Sequence, residues 1–392
     1  MSVATEPHAL IAPVSVLSDH ERELAEGVYD FAVETIGPRA REMDQANVMD
    51  PGLIRKFFEL DLMGIEIPEE FGGLGANFGT SIAIIEALAR VDAACAVVVD
   101  VQNTLVNNAI LRWASPALQK KYFPQLAKQK VASYALSEAA SGSDAFALTT
   151  TATPKGDRYI LNGGKLWITN GLESELFLVF ANVDKSKGYK GITAFFVESQ
   201  WKGFHKGKKE DKLGIRASST LALAFEDVEV PAENVVGNVG EGYKIAIETL
   251  NEGRIGIGAQ MVGISRAALD YTAKYVKERK QFGQPLAHFQ AVQHELARMD
   301  MEVECARLAV YNAARLKENG LPFAREAAIA KLKGSEAAEM CTSRGLELLG
   351  GYGYVKDYPL EKMFRDAKIG KIYEGTSFMQ LNTIAKDVLR RD

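Results

Sequence analysis

Apolar residues recur at helical spacing over the first third of the chain. Two sets each share one helical face: Leu24, Val28, Phe31 and Ala32, and then Ile82, Ile85, Leu88 and Ala89. Steps of three and four residues place side chains on the same side of an α-helix. The Gly- and Pro-rich run from Pro68 to Gly75 interrupts this pattern as a turn would. We therefore predict a helical domain over residues 1–129, with its periodic part starting at Leu17.

The pattern changes after Lys130. Short runs rich in β-branched and aromatic residues follow one another, separated by turn signals such as Gly163-Gly164. The predicted strands are Val131 to Leu136, Tyr159 to Leu161, Leu166 to Thr169, Leu176 to Ala181, Ile192 to Val197, and Leu221 to Val230. Many short strands with frequent turns are typical of an antiparallel barrel or sandwich. We predict a middle β-domain over residues 130–239.

The helical period returns after Gly240 and continues to the end of the chain. Its clearest stripe alternates steps of three and four residues: Leu296, Met299, Val303, Ala306, Val310 and Ala313. Such a stripe is typical of the buried seam of a long helix in a bundle. Residues 240–392 are therefore predicted to form a C-terminal helical bundle, which makes the whole chain an α+β protein in the order α, β, α.

Composition narrows the class of protein. Of the 392 residues, 47% are hydrophobic and 25% are charged, as in an ordinary globular protein with several domains. The net charge of -5 gives no general attraction to nucleic acid or to an anionic membrane. No apolar run is predicted to reach the roughly 20 residues that span a bilayer, and Met1 to Asp30 is too acidic for a targeting peptide. We predict a cytoplasmic protein, with a mature mitochondrial protein as the alternative.

Cysteine and histidine spacing gives no metal or disulfide motif. Cys95, Cys305 and Cys341 stand far apart, and the five histidines form no ligand cluster. No P-loop or GxSxG string is present, and Gly350 to Gly353 lacks the third glycine of a dinucleotide fingerprint. The sequence therefore favours neither metal chemistry nor a Rossmann domain.

Glu374 is the candidate catalytic base. It lies between an apolar, strand-like stretch and a helix that we expect to begin at Thr376 or Ser377, where Ser377 and Gln380 have capping-box spacing. A helix N-terminus stabilises a carboxylate, whereas burial raises its pKa, and opposed effects of this kind tune a base. From this segment alone, a simple helix-end charge is the alternative interpretation.

Two segments of the β-region have the character of a ligand surface. The run from Tyr134 to Asp144 leaves a strand for a loop of small and hydroxyl residues, which lets backbone N–H groups approach a ligand. In the run from Leu166 to Gly171, Trp167 and Thr169 lie two residues apart, on one face of a strand. A planar heterocycle fits such a face. For the first segment the alternative is an ordinary surface turn. For the second it is a tryptophan buried in the β-core.

Taken together with Asn251 to Arg254, Glu278 to Gly283 and Gln290, these strings closely resemble the acyl-CoA dehydrogenase family. The resemblance runs from about Leu17 to Leu389. Its most specific parts are the two signature regions, Tyr134 to Asp144 and Gly350 to Gln380. The sequence outside these regions is most similar to the short/branched-chain members of the family. It implies a helical domain, a β-barrel domain and a C-terminal four-helix bundle.

The resemblance also implies FAD as cofactor, with Thr169 near flavin N5 and the adenine end held across a subunit boundary of a tetramer. The implied FAD contacts are Tyr134, Leu136, Ser137, Gly142, Ser143, Trp167, Ile168, Thr169, Arg279, Phe282, Gln290, Glu347, Leu348, Leu349, Gly350, Gly351, Thr376 and Phe378. The implied acyl-CoA contacts are Ser143, Tyr189, Tyr243, Asn251, Glu252, Gly253, Arg254 and Gly375. Electrons would pass to an electron-transfer flavoprotein.

In the reaction that the resemblance implies, Glu374 removes the α-proton of the thioester while a hydride leaves the β-carbon. Some relatives carry their base immediately before the helix arginine, where this chain has Gly253, and Glu252 is rotated by about 100° from that position. Glu347 stands where many relatives have glutamine near the FAD pyrophosphate, so we assign that FAD contact to the neighbouring backbone. Ser137 replaces the more usual threonine and keeps the hydroxyl group.

Several points stay open from the sequence. Lys202, Lys206, Lys208, Lys209 and Lys212 are expected in a solvated loop rather than on a CoA phosphate. Butyryl, isobutyryl and 2-methylbutyryl thioesters all fit the pattern. An oxygen-using acyl-CoA oxidase and a non-catalytic scaffold on the same fold are the rival functions.

Overall fold

A computed structural model describes residues 15–390, so the first 14 residues, on which the targeting-peptide prediction partly rests, lie outside the described part. The helices before the sheet are α1 (Asp19–Phe31), α2 (Gly37–Ala46), α3 (Pro51–Glu59), α4 (Phe78–Ala89), α5 (Ala93–Asp100), α6 (Asn108–Trp113) and α7 (Pro116–Lys128). Five begin at a polar N-cap whose side chain accepts a backbone N–H: Ser18, Asp50, Asn77, Asp92 and Ser115. The predicted helical region is confirmed.

Helices α5 and α6 are joined by a π-helical segment, Val101–Asn107, into one apolar run. This run, Ala93–Trp113, has 21 residues, so the prediction that no apolar run reaches bilayer length is wrong. Its most apolar window is 94% buried, as in a core helix. Three of its side-chain amides donate to backbone carbonyls elsewhere in the domain: Gln102 to Leu126 O on α7, and Asn103 and Asn107 to Leu62 O and Met63 O in the turn after α3.

Eight strands form one sheet between the two helical regions. They are β1 (Ala132–Ala135), β2 (Thr151–Lys155), β3 (Arg158–Thr169), β4 (Leu176–Asn182), β5 (Ile192–Glu198), β6 (Phe204–Lys209), β7 (Thr220–Pro231) and β8 (Val235–Val236). The order is β6-β7-β3-β2-β4-β5-β8, and β1 pairs with β4 in parallel. Apart from a short parallel bridge between β2 and β4, the other pairings are antiparallel.

The sequence pattern missed strands β2, β6 and β8, and it divided β3 into two. Strand β6 contains most of the lysine-rich segment that we expected to be a solvated loop. There Lys206 Nζ donates to the carbonyls of Leu172 and Ser174, and Lys212 Nζ donates to Ser218 O at 2.6 Å. Burial lowers the pKa of Lys212 to about 8. These ammonium groups therefore bind loops of the protein itself.

The C-terminal region contains α8 (Gly242–Glu278), a hairpin of β9 (Lys280–Gln281) and β10 (Gln284–Pro285), α9 (Gln290–Glu318), α10 (Ala324–Leu349), α11 (Leu360–Ala367) and α12 (Ser377–Val388). Helices α8, α9 and α10 pack against one another. The predicted stripe on α9 is core: Met299, Val303, Ala306, Val310 and Ala313 are fully buried. This part of the fold agrees with the predicted helical bundle.

Local structure before α12 differs from the prediction. The strand-like stretch is the end of α11 followed by a 3-10 turn, Lys368–Lys371. Helix α12 begins at Ser377 with Thr376 as N-cap, as predicted. No capping box forms, because the Gln380 side chain turns back to the carbonyls of Glu374 and Gly375.

Candidate active site

Glu374 and Gly375 form a left-handed turn just before α12, with φ angles of 52° and 89°. This conformation suits glycine but is strained for a residue with a Cβ. A non-glycine residue held in a rare backbone region costs on the order of 1–3 kcal/mol and is usually found at a functional site. The turn directs the Glu374 side chain toward α8.

A glycine on α8 makes room for the Glu374 carboxyl group. A Cβ placed on Gly253 would lie 3.1 Å from Glu374 Oε2 and 2.7 Å from a side-chain carbon of Leu105. Any larger residue there would displace the carboxyl group or Leu105. The space in which some relatives carry their base is therefore taken up in this structure by Leu105 and the Glu374 carboxyl group.

Glu374 lies among apolar groups and two cations. Burial raises the pKa of its carboxyl group to about 7, and the opposing attraction of Arg254 and Lys331 is the smaller effect. Burial likewise lowers the pKa of Lys331 to about 7. The carboxyl group thus changes charge near neutral pH, which suits a group that must alternate between base and acid.

Three side chains hold the two carbonyls of the left-handed turn. Lys331 Nζ, on α10, donates to Gly375 O at 2.6 Å. Gln380 Nε2, on α12, donates to Gly375 O at 2.8 Å and to Glu374 O at 3.2 Å. Arg254 Nε, on α8, adds a longer bond of 3.4 Å to Glu374 O. Sequence analysis missed Lys331, which lies more than 40 residues away on another helix with no local signal.

Two further titratable groups lie close enough to interact with Glu374. Asp100, at the end of α5, is buried and accepts a hydrogen bond from Thr104 Oγ1 at 2.8 Å. Burial raises the pKa of Asp100 well above its usual value, and repulsion from Glu374 adds to this. Tyr134, on β1, shares a 3.0 Å hydrogen bond with Thr249 Oγ1, and burial also raises its pKa. Burial therefore favours the neutral form of both groups.

The loop after β1 is held by a buried ion pair. Lys165 Nζ, on β3, donates to Glu138 Oε1 at 2.7 Å and to Leu136 O at 3.0 Å. The side chains of Lys165 and Glu138 are 0% and 3% exposed. Glu138 also accepts the backbone N–H groups of Thr149 and Thr150. This pair fixes the loop that contains Ser137, Gly142 and Ser143.

A β-bulge in β3 sets the direction of Trp167. The register with β7 shifts between Lys165 and Ile168, and Trp167 has a φ of 62°. Trp167 is 60% exposed, so the core-tryptophan alternative is wrong. Ile168 is buried in the sheet core, which leaves only its backbone for a ligand contact, whereas Thr169 is partly exposed.

Unpartnered polar atoms and open space surround the predicted contacts. Among residues 15–390, three buried atoms at the start of α12 lack a hydrogen-bond partner: Glu374 Oε2, Ser377 Oγ and Gln380 Oε1. A Cβ on Gly142, Gly350 or Gly351 would meet no atom within 4 Å. The exposed plane of Trp167 and the hydroxyl-rich loop with open backbone at Gly142 fit part of a large polar-aromatic cofactor such as FAD, whereas Gly350 and Gly351 belong to the second cluster described below.

Most of the predicted acyl-CoA contacts are compatible with a substrate contact, but Glu252 is not. Tyr189 and Tyr243 stack edge to face with ring centroids 4.9 Å apart, and Asn251 Oδ1 accepts from Arg254 Nη1 at 2.8 Å. Glu252 points elsewhere. Its carboxylate is fully buried and pairs with Asn108, Arg112 and Lys317, so a substrate contact by this side chain is not supported.

The remaining predicted FAD contacts form a second cluster at the far end of α8. Arg279 stacks over Tyr352, and Tyr275 donates to Leu349 O. Phe282, at the tip of the β9–β10 hairpin, is 94% exposed. Gln290, Leu348, Gly350 and Gly351 are at least partly exposed, Glu347 pairs with Arg344, and Leu349 is buried. Thr376 and Phe378, by contrast, adjoin Glu374.

Comparison with known proteins agrees with this arrangement. The profiles that match are the acyl-CoA dehydrogenase N-terminal domain over residues 18–130, its middle domain over 133–228 and its C-terminal domain over 240–389. This chain belongs to the acyl-CoA dehydrogenase family. The resemblance found in the sequence is thereby confirmed, and so is the three-part fold.

Among similar proteins is the mitochondrial short/branched chain specific acyl-CoA dehydrogenase of Bos taurus, 50% identical over 98% of this chain and 89% of the relative. Butyryl-CoA dehydrogenase from Megasphaera elsdenii has a TM-score of 0.94 at 41% identity, covering 96% of this chain and 99% of that one. An acyl-CoA dehydrogenase from Bacillus anthracis, solved with FAD, has a TM-score of 0.89 at 33% identity, covering 95% and 67%. Since such relatives include mitochondrial and bacterial proteins, the cytoplasmic location stays a prediction.

We expect Lys165→Met to destabilise the protein by about 3–5 kcal/mol, because it leaves the Glu138 carboxylate buried without its cation. Chemical denaturation measures this change. Lys155→Met is the matched control, since Lys155 Nζ lies 3.7 Å from Glu229 on the exposed side of the sheet, and it should change stability by less than about 0.5 kcal/mol. Equal effects of the two variants would contradict the role given to the buried pair.

The gain in stability of Glu374→Gln over the wild-type protein should be larger at pH 8 than at pH 5. Folding raises the pKa of this carboxyl group from 4.5 to about 7, so the folded state binds the proton more tightly. Stability therefore falls as pH rises from about 4.5 to 7 and levels off above, a loss of about 2 to 3 kcal/mol that glutamine avoids. Denaturation of both proteins at the two pH values measures the difference, and a pH-independent difference would contradict the raised pKa.

Proposed function

We propose that this chain is an FAD-dependent acyl-CoA dehydrogenase that oxidises short or branched-chain acyl-CoA thioesters to trans-2-enoyl-CoA, with Glu374 as the base. The observation that supports this best is the Glu374 carboxyl group, with a pKa of about 7 and an unpartnered Oε2 beside Gly253. Family membership and the similarity to a short/branched-chain relative and to a butyryl-CoA dehydrogenase support the substrate class. FAD as cofactor agrees with the solved Bacillus anthracis relative.

Glu374 takes the α-proton of the thioester, and the electrons of that C–H bond form the new double bond. FAD, held beside the loop of Ser137 to Ser143 and Trp167, would supply the acceptor for the hydride that leaves the β-carbon. The positive charges of Arg254 and Lys331 favour the ionised carboxyl group before transfer, while burial favours the protonated form afterwards. A pKa near neutrality keeps both forms accessible, so the base is regenerated when the proton is released.

The backbone N–H of Glu374 is the candidate donor to the thioester carbonyl. Among residues 15–390 it donates to no other group, although the carbonyl of the same residue is held by Gln380 and Arg254. Negative charge develops on the thioester oxygen as the α-proton leaves. A preorganised N–H at that oxygen is worth about 3 kcal/mol, because it is in place before the charge appears.

A subunit boundary accounts for the two separated sets of predicted FAD contacts. Helix α8 is 37 residues long, or about 55 Å, with Gly253 in its first third and Arg279 at its end. Gly253 and Arg279 are 26 residues apart, or about 39 Å along the helix, and one cofactor molecule does not extend that far. We therefore propose that Arg279, Phe282 and Gln290 serve the FAD of a neighbouring subunit in a homotetramer, and that the reduced enzyme passes electrons to an electron-transfer flavoprotein.

Glu374→Gln is expected to keep bound FAD but to lose anaerobic flavin reduction by acyl-CoA, by a factor of about 10² to 10⁴, because the general base is gone. Stopped-flow absorbance with butyryl, isobutyryl and 2-methylbutyryl thioesters measures the rate and identifies the preferred substrate. Glu336→Gln, an exposed position on α10, is the matched control. Rapid bleaching of the flavin in Glu374→Gln would contradict the proposed base.

In the wild-type enzyme, kcat/KM should rise about tenfold per pH unit below pH 7 and become level above it, since only ionised Glu374 accepts the proton. Dye-linked turnover across pH measures this profile. Hydrogen peroxide measured in the same assays tests the oxidase alternative: peroxide formed in proportion to turnover would replace the dehydrogenase assignment. A colourless protein that takes up no added FAD would favour the scaffold alternative.

A further inference from the structure

The left-handed turn at Glu374 needs an external restraint. Glu374 has a Cβ and a φ of 52°, so the isolated segment would relax toward ordinary backbone conformations. Relaxation would rotate the carboxyl group away from Gly253. The restraint must act on the carbonyls of Glu374 and Gly375, because the N–H of Glu374 makes no hydrogen bond within the described residues.

We propose that Lys331 and Gln380 are positioning residues that clamp this turn, and that Lys331 in addition supplies a positive charge that favours the ionised form of Glu374. The proposal rests on the proposed function of Glu374 as base. Both side chains are fully buried, and their nitrogen atoms reach the same carbonyl, Gly375 O, from two different helices.

The environment of Lys331 is unusual for a lysine. Its ammonium group lies in the interior, and its hydrogen bond in the described part of the chain goes to a neutral carbonyl at 2.6 Å. A buried charge without a carboxylate in contact is costly. A hydrogen bond from a charged donor is worth about 1.5–3 kcal/mol, more than one from a neutral amide. While it is protonated, Lys331 therefore makes the strongest single hydrogen bond to the turn, whereas Gln380 makes two weaker ones.

Comparison with Gln380 distinguishes the two proposed effects of Lys331, which are its hydrogen bond to the turn and its positive charge. Its amide holds both carbonyls of the turn but adds no charge. Loss of Gln380 should loosen the clamp alone, whereas replacing Lys331 by glutamine should remove the charge and leave a donor. Methionine at either position removes the donor while keeping most of the volume.

Lys331 is also the neighbour of Glu374 that can change charge in the same pH range. The groups around Glu374 are Arg254 on α8, Lys331 on α10, Asp100 on α5, Tyr134 on β1 and Tyr373 on the turn itself. Arginine stays charged. Burial raises the pKa of Asp100 and of both tyrosines, which favours their neutral forms.

The test compares Lys331→Met, Lys331→Gln and Gln380→Met in the full FAD-loaded enzyme, with kcat and kcat/KM measured across pH. Both Lys331 variants should move the acid limb of kcat/KM to higher pH by about 1 unit, through loss of the charge. The high-pH plateau of kcat, where the Lys331 amine is largely neutral, should fall about 3- to 10-fold in Lys331→Met but stay within about threefold in Lys331→Gln. Gln380→Met should lower the plateau several-fold without moving the limb.

Lys333→Met is the matched control, since Lys333 lies two residues along α10 and pairs with Glu302 at the surface, and it should leave both quantities unchanged. The inference would be overturned if Lys331→Met and Gln380→Met both kept the wild-type plateau of kcat. It would also be overturned if the acid limb of kcat/KM stayed at the wild-type pH in both Lys331 variants. Activity retained in Glu374→Gln would instead overturn the proposed function, so the two failures are distinguishable.

Discussion

Burial of the Glu374 carboxyl group against the backbone of α8 is the constraint around which the site is arranged. The absence of a side chain at Gly253 allows the approach, and Leu105 closes the apolar wall beside it. Burial alone would keep the group protonated and useless as a base. The nearby Arg254 and Lys331 oppose that effect, and the balance brings its pKa to about 7.

This constraint explains why three regions of the chain must meet. The π-helical segment after α5 supplies Leu105, strand β1 supplies Tyr134, and helices α8, α10 and α12 supply the cations and the clamp. Each contribution comes from a rigid element, which holds catalytic groups more accurately than mobile loops do. The strained turn at Glu374 persists because so many neighbours restrain it.

Much of the fold follows from periodicity. The start of α12, the buried stripe of α9 and the strands near residues 131, 176, 192 and 221 were predictable because local patterns determine them. Strand β6 was not, since its lysines resemble a solvated loop and only pairing with β7 makes it a strand. Glu374, Gly253 and Arg254 were recognisable from motifs. Lys331 and Lys165 were not, because tertiary packing alone brings them to Gly375 and Glu138.

Burial by the fold makes Glu374 ionise near neutral pH. Infrared difference spectroscopy of the FAD-loaded protein across pH, with Glu374→Gln as the reference, measures this directly through the band of the protonated carboxyl group. We expect one band, absent from the variant, that disappears with a midpoint near pH 7. A midpoint near the ordinary carboxyl value of 4.5 would contradict it.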